Sequence, residues 1–269
     1  MVSTFQRSAY DANAEQVSLY VVHLHNENIR SNTIRSHLSA ISFKFQSSDR
    51  PSPTESFSTS KLLLAYAKSD PPPKIRKPLT KANLEKIIPA LERMPYTSHE
   101  RHMLRSLFTL MYHALLRISE VTTSKKNDHN LKSTQVKNST SDTRKLSVTF
   151  SSFKFSKPGL THLDILPSNG TACPVTAYAR YTKIRPKKSK FAYCLQNGSP
   201  LSPSYVTNQL RSILYQIGLS PQDYNNHSFR IGKATDMARQ GYTDTQICMA
   251  GRWSSSAFKK YIKPQLLQL

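Results

Sequence analysis

The chain has 269 residues and a formal net charge of +22, with 38 Lys and Arg against 16 Asp and Glu. A charge that large exceeds what solubility needs and argues for a polyanionic partner, nucleic acid ahead of a membrane surface. No apolar run approaches the roughly 18 residues of a spanning helix, and the N-terminus lacks a signal-peptide core. Cys173, Cys194 and Cys248 are too scattered for a zinc site and read as reduced, intracellular thiols.

In chain order, residues 1–14 are polar, and Val17, Leu19, Val21, Val22 and Leu24 predict a first helix ending near His25. Ser31 or Asn32 is expected to cap the next. There Ile34, Leu38, Ile41 and Phe45 recur with helical period, while Arg30, Arg35 and Lys44 lie on or near the other faces. Residues 46–58 are turn-rich, and a short helix follows over Ser60 to Ala67. This unit, 1–68, is all-helical, basic and small enough for a marginal core. The proline run in 69–78 cannot continue a helix and marks a linker, so a larger domain is expected over 79–269.

That domain opens with a helix capped by Thr80. A second, the most hydrophobic of the chain, runs from near Ser98 to Leu115 and delivers Arg117 at its carboxyl end. Residues 122–143 are polar and without period, apart from a weak strand over Leu131 to Val136. Alternation at Leu146, Val148 and Phe150 predicts a strand continuing through Phe153 and Phe155, with Leu160 to Leu166 as its return and Lys157 at the hairpin tip. A helix from Pro174 leads into a dense basic run, Arg180, Lys183, Arg185, Lys187, Lys188 and Lys190, which fits phosphate tracking as well as a solvated face. A further helix covers 203–216. The fold class expected is mostly α with a small antiparallel sheet.

The stretch from Tyr224 to Lys263 carries the chemistry. His227 and Arg230 stand three apart on one helix, able to grip a small anion together. Gly241 stops that helix, a second runs from Thr243 to Gly251, and a third from about Ser254 carries Ala257, Phe258 and Tyr261. Cations converging on an oxyanion, with a phenol nearby, fit nucleophilic attack on a phosphodiester.

Four segments, LLRISEV (115–121), SKPG (156–159), HSFRIGKAT (227–235) and AGRWSSSAFKKYI (250–262), stand in the order found in tyrosine recombinases, the phage-integrase-like family, and the chain resembles that family over nearly its whole length. The form of the last two, with CPVTAYARY (173–181), is most similar to recombinases of Crypton- and DIRS-type eukaryotic mobile elements. TIRSHLSAISF (33–43) resembles the family's core-binding helical domain.

The resemblance implies a nuclear, DNA-cutting and -rejoining enzyme working through a 3′-phosphotyrosyl intermediate. It implies no metal or other cofactor, and assembly on duplex DNA as a dimer per site and a tetramer in synapsis. Arg117, His227 and Arg230 would bracket the scissile phosphate, with Glu120 supporting Arg117. Lys157 would protonate the leaving 5′ oxygen, with Lys154 as the alternative, and Tyr261 would be the nucleophile. The family places His or Trp nine residues before the tyrosine. Here Arg252 stands there and Trp253 follows, so Trp253 is expected at the phosphate and Arg252 as an extra phosphate contact. Two other readings share these residues: a catalytically silent DNA-binding protein of the same fold, and a type IB topoisomerase-like enzyme.

Overall fold

The computed structural model describes residues 12–124, 130–139, 144–151 and 159–267, which divide into two compact units, Met1–Lys74 and Ile75–Leu269. The expected hairpin tip with Lys157, its alternative Lys154, and the strand continuation through Phe153 and Phe155 lie outside the described residues.

The first unit is three helices. Helix α1 (Ala14–Asn26) starts at Asn13, whose side chain exchanges hydrogen bonds with Gln16 in a capping box. Helix α2 (Ser31–Gln46) and helix α3 (Phe57–Ser69, capped by Ser56) complete it. Val17, Val21, Leu24, Ile34 and Leu38 form its core. Leu19, expected with the apolar face of α1, is exposed. Ser31 is not the cap of α2: Arg30 occupies that position, and Ser31 is the first helical residue. Its N–H donates to the Asp70 carboxylate at 3.0 Å and its hydroxyl does the same, fastening the start of α2 to the end of α3.

The second unit is built on helix α5 (Ser98–His113), buried along most of its length. Helix α4 (Lys81–Ala90), a three-stranded sheet and helices α6 (Pro174–Ile184), α7 (Pro203–Gln216), α8 (His227–Arg239) and α9 (Asp244–Gly251) accompany it. The strands β1 (Val136–Asn138), β2 (Leu146–Phe150) and β3 (Thr161–Ile165) are antiparallel in sequence order, with Val136 opposite Val148 and Val148 opposite Leu163. The alternation read at Leu146, Val148 and Phe150 is the buried face of β2. The weak strand expected over Leu131 to Val136 is instead a single antiparallel bridge from Lys132 to Phe191 followed by a 3₁₀ turn at Ser133–Gln135, and pairing with β2 begins at Val136. The last expected helix is a 3₁₀ turn, Ser256–Tyr261.

Helix α8 lies against the chain just before α4. A Cβ on Gly232 would sit 1.7 Å from the Leu79 carbonyl oxygen, so only glycine permits this approach. The contact is fixed by polar groups: the Leu79 N–H donates to the Ser228 carbonyl at 2.9 Å. The Lys81 N–H and the Tyr112 hydroxyl both donate to the Asp236 carboxylate, at 2.7 and 2.6 Å. A buried polar group is tolerated only when it is paired, and here the pairing sets where the start of α8 points.

No helix among the described residues is long and apolar enough to cross a membrane. Among the same residues no group of three or more His, Cys, Asp or Glu could hold a metal ion.

Candidate active site

Helices α5 and α9 end in the same way. After α5, Leu115 takes a left-handed conformation at φ 47°, its N–H donates to the Tyr112 carbonyl, and the Leu116 N–H donates to the Met111 carbonyl. After α9, Arg252 does so at φ 54°, with its N–H on the Met249 carbonyl and the Trp253 N–H on the Cys248 carbonyl. This is the Schellman ending, usually made by glycine. A bulky residue there is strained by about 1–3 kcal/mol, and such strain concentrates at functional sites. The sequence places Gly251 one residue too early to relieve it. Gly251 serves another need: a Cβ there would lie 1.7 Å from the Trp253 ring, so its absence makes room for the indole.

The two turns point carbonyls inward, and arginines collect on them. Arg230, from the first turn of α8, has no exposed surface. It donates through one terminal nitrogen to the Leu115 carbonyl and through the other to the Gly251 carbonyl. Its guanidinium lies 4.0 Å from the centre of the Trp253 ring and 5.5 Å from that of Tyr261. Arg252 turns inward as well. It donates to the Ala114 carbonyl and the Glu120 carboxylate, both at 2.9 Å, and stacks on Phe150. Its guanidinium is thus bonded to a protein carbonyl and a carboxylate. Glu120 is fully buried and holds Arg117 too: it accepts from the Arg117 N–H at 2.9 Å and from its guanidinium at 3.3 Å. Arg117 lies on the turn after α5 rather than on the helix, and its side chain is 15% exposed.

Two guanidinium groups, those of Arg117 and Arg252, thus share the Glu120 carboxylate, and that of Arg230 lies within electrostatic reach of all three. Burial, then the nearby charges of Arg117 and Arg252, press the Arg230 pKa down to about 9, so it is still charged at neutral pH. Arg252 is lowered by burial, with Glu120 opposing. Buried cations in excess of their counter-charge favour the binding of an anion, and a phosphate fits.

The phenol stands beside this nest. Tyr261, at the end of the 3₁₀ turn, brings its hydroxyl within 2.8 Å of His227 Nε2, a hydrogen bond made within one chain. Trp253 packs at 5.1 Å on the Tyr261 ring, and Phe258, Met237, Ile247 and Leu115 form the apolar floor. The structure therefore brings together Arg117, Glu120, His227, Arg230, Arg252, Trp253 and Tyr261. Lys157 lies outside the described residues. Thr235, buried below Tyr261, and the left-handed Leu115 were not singled out by sequence. Threonine inside a helix and leucine after one carry no local signal.

The candidate DNA-contacting residues sort differently. Arg30, Arg35 and Lys44 are exposed on the first unit. Arg180, Lys183, Lys187, Lys188 and Lys190 are exposed on the second, and an open groove of about 500 Å³ is lined by Lys187, Lys188, Gln196 and Asn197. Arg185 instead folds back, its guanidinium donating to the Phe191 carbonyl at 2.8 Å, and so shapes the basic loop.

The model of the phage integrase family matches residues 77–265. Among solved structures, the XerH site-specific recombinase, in a post-cleavage complex with palindromic difH substrate, aligns with a TM-score of 0.66 at 13% identity, covering 96% of this chain and 70% of that one. The Tn1549 transposon integrase, in complex with circular intermediate DNA, aligns at 0.61 and 16%, covering 95% and 82%. A lambda integrase dimer bound to a COC′ core site aligns at 0.59 and 15%, covering 94% and 65%. At such identities the likeness is one of fold. No curated protein matches the chain.

Proposed function

The chain belongs to the phage integrase family, and from that premise we propose that it cuts and rejoins duplex DNA by attack of the Tyr261 hydroxyl on a backbone phosphate. The observation that carries this reading is the buried, cation-rich nest of Arg117 and Arg230 beside a phenol already bonded to His227. Attack forms the Tyr261 Oη–phosphorus bond and breaks the bond to the 5′ oxygen, leaving a 3′-phosphotyrosyl link. The phenol proton passes to His227 Nε2, and the 5′ oxygen takes its proton from Lys157. Arg117 and Arg230 hold the two non-bridging oxygens as charge builds on them, each worth about 10²–10³ in rate. Rejoining is the reverse, with a free 5′ hydroxyl as nucleophile.

Trp253 covers the Arg230 guanidinium and shields the nest from water. Glu120 and Arg252 hold its walls. In this reading the DNA backbone runs along Arg180, Lys183, Lys187, Lys188 and Lys190, and the first unit adds a second duplex-binding surface through Arg30, Arg35 and Lys44. The working assembly is a dimer per site and a tetramer in synapsis. From the form of HSFRIG and GRWSSSAFKKYI we further propose that the chain is a recombinase of a Crypton- or DIRS-type eukaryotic element, working in the nucleus.

The test uses a nicked duplex carrying the sequence that the chain itself selects from a random pool. A covalent adduct whose nucleotide maps to Tyr261 is expected, and an adduct on another residue overturns the assignment. Lys157→Ala is expected to be slow on this duplex but restored by a 5′-bridging sulfur, whose thiolate leaves without an acid. Equal defects on both substrates would move the acid elsewhere.

A further inference from the structure

The Thr235 side chain does something that the site as described does not explain. It sits in α8, on the face toward the 3₁₀ turn, with no exposed surface. Its hydroxyl donates to the Tyr261 carbonyl at 3.2 Å and accepts from the Lys263 N–H at 3.0 Å. One oxygen thus bridges the backbone on both sides of Ile262. Tyr261 is the last residue of a six-residue 3₁₀ turn, a form with poor hydrogen-bond geometry that rarely persists unaided. Nearer the start of α8, His227 grips the hydroxyl of the same tyrosine at 2.8 Å. The side chain is held at its tip by one residue of α8 and its backbone by another, two helical turns on.

We infer that Thr235 is a positioning residue: by clamping the backbone that flanks Tyr261, it fixes the phenol in the pocket of its own protomer. The inference rests on Tyr261 being the nucleophile. Arg230 and Thr235 belong to one rigid helix, so the distance from the phosphate-holding guanidinium to the anchored carbonyl is set by the helix itself. Misplacing a reacting atom by about 1 Å lowers a rate on the order of 10²-fold. Without the clamp, the tyrosine would be left to its ring packing and one imidazole contact.

The experiment compares the full chain with Thr235→Val, which keeps the shape and removes the hydroxyl, and Thr235→Ser, which keeps the hydroxyl. Adduct formation is followed in single turnover on the selected nicked duplex, at saturating protein, alongside duplex affinity. Thr235→Val is expected to form adduct about 10- to 100-fold more slowly with affinity unchanged, and Thr235→Ser to recover most of the rate. A role in stability alone would lower affinity and thermal midpoint together with the rate. Hydrogen exchange at the Lys263 amide gives a second measure: slow in the wild type and Thr235→Ser, fast in Thr235→Val. Should Thr235→Val not fold, Thr235→Ala takes its place in both. Wild-type rate without the hydroxyl, no recovery by serine, or equal exchange in all variants overturns the clamp. An adduct missing from the wild type, or found on another residue, is a failure of the nucleophile assignment, and the exchange measurement then still decides the clamp.

Discussion

The site is made of two regions built in opposite ways. The arginine nest is largely internal: Arg230 and Glu120 have no exposed surface, the Arg117 side chain is 15% exposed, and the guanidinium groups are held by carbonyls at two helix ends and by the Glu120 carboxylate. The tyrosine segment is a single 3₁₀ turn whose Ser256, Ala257, Lys259 and Lys260 face solvent, with Phe258 alone buried. The difference follows from charge. A buried guanidinium carries a desolvation penalty of several kcal/mol and tolerates no loose partner. A phenol carries no such penalty and needs only to be aimed. A phosphate-binding region must therefore be preformed, whereas a nucleophile that becomes bonded to DNA can ride on a lightly held turn.

The largest expected effect removes one atom from the lightly held region. Tyr261→Phe keeps the ring against Trp253 and the apolar floor, so the variant is expected to fold and bind duplex while forming no adduct at all. Residual cleavage by this variant would move the nucleophile elsewhere. The next effect breaks the preformed region without removing its charge. A lysine at 230 cannot bond the Leu115 and Gly251 carbonyls in the fork that arginine makes. Arg230→Lys is expected to lower the single-turnover rate on the order of 10²- to 10³-fold, with duplex binding retained through the many other cations. Cleavage near the wild-type rate would mean that the fork geometry is unimportant.

A third change separates the regions by stability. Glu120→Ala leaves Arg252 and Arg117 buried or half-buried against each other without the shared carboxylate. Unfolding in urea should show a loss of about 3–5 kcal/mol, as when one partner of a buried pair is removed. Lys259→Ala, which breaks an exposed contact to Asp244 at 3.2 Å beside the tyrosine turn, should shift the midpoint by less than about 1 kcal/mol. Similar losses from the two would erase the contrast.

The same contrast decides what was legible in the sequence. His227 and Arg230, with Tyr261 as a nearby phenol, could be singled out by their spacing on one stretch, Arg117 and the roles of all four came from the resemblance of the motifs, and strand β2 could be read because alternation is a direct image of a half-buried sheet. The walls of the nest could not be read. Glycine is the usual sign of a left-handed helix ending, and it was visible at Gly241, with φ 81°. At Leu115 and Arg252 the same ending is made without glycine, enforced by carbonyl–guanidinium contacts contributed from far along the chain. The bond from Arg252 to Glu120 follows from that turn and carries no mark in the sequence. Thr235 was hidden for a related reason, since its two partners lie on a segment that reads as an ordinary helix until it is seen to be a 3₁₀ turn.

The smallest expected effect probes the helix end beneath the nest by pH. His113 is the last residue of α5, two before the left-handed Leu115, and its Nε2 is buried without a hydrogen-bond partner among the described residues. Burial first, then the Lys233 ammonium, lowers its pKa from 6.5 to about 4, so the folded protein keeps it neutral. In the unfolded chain it titrates near its ordinary value. Between those two values the unfolded state binds a proton that the folded state refuses, and stability must therefore rise with pH across that window and fall on acidification. The full span corresponds to about 3 kcal/mol, an upper figure for a group retaining some solvent contact. Urea midpoints measured from pH 4 to 7 should fall toward acid in the wild type, and His113→Gln, which cannot take up the proton, should show a flatter dependence. A slope unchanged by the substitution would place the acid sensitivity elsewhere, and would leave the end of α5 insensitive to a charge placed just below the nest.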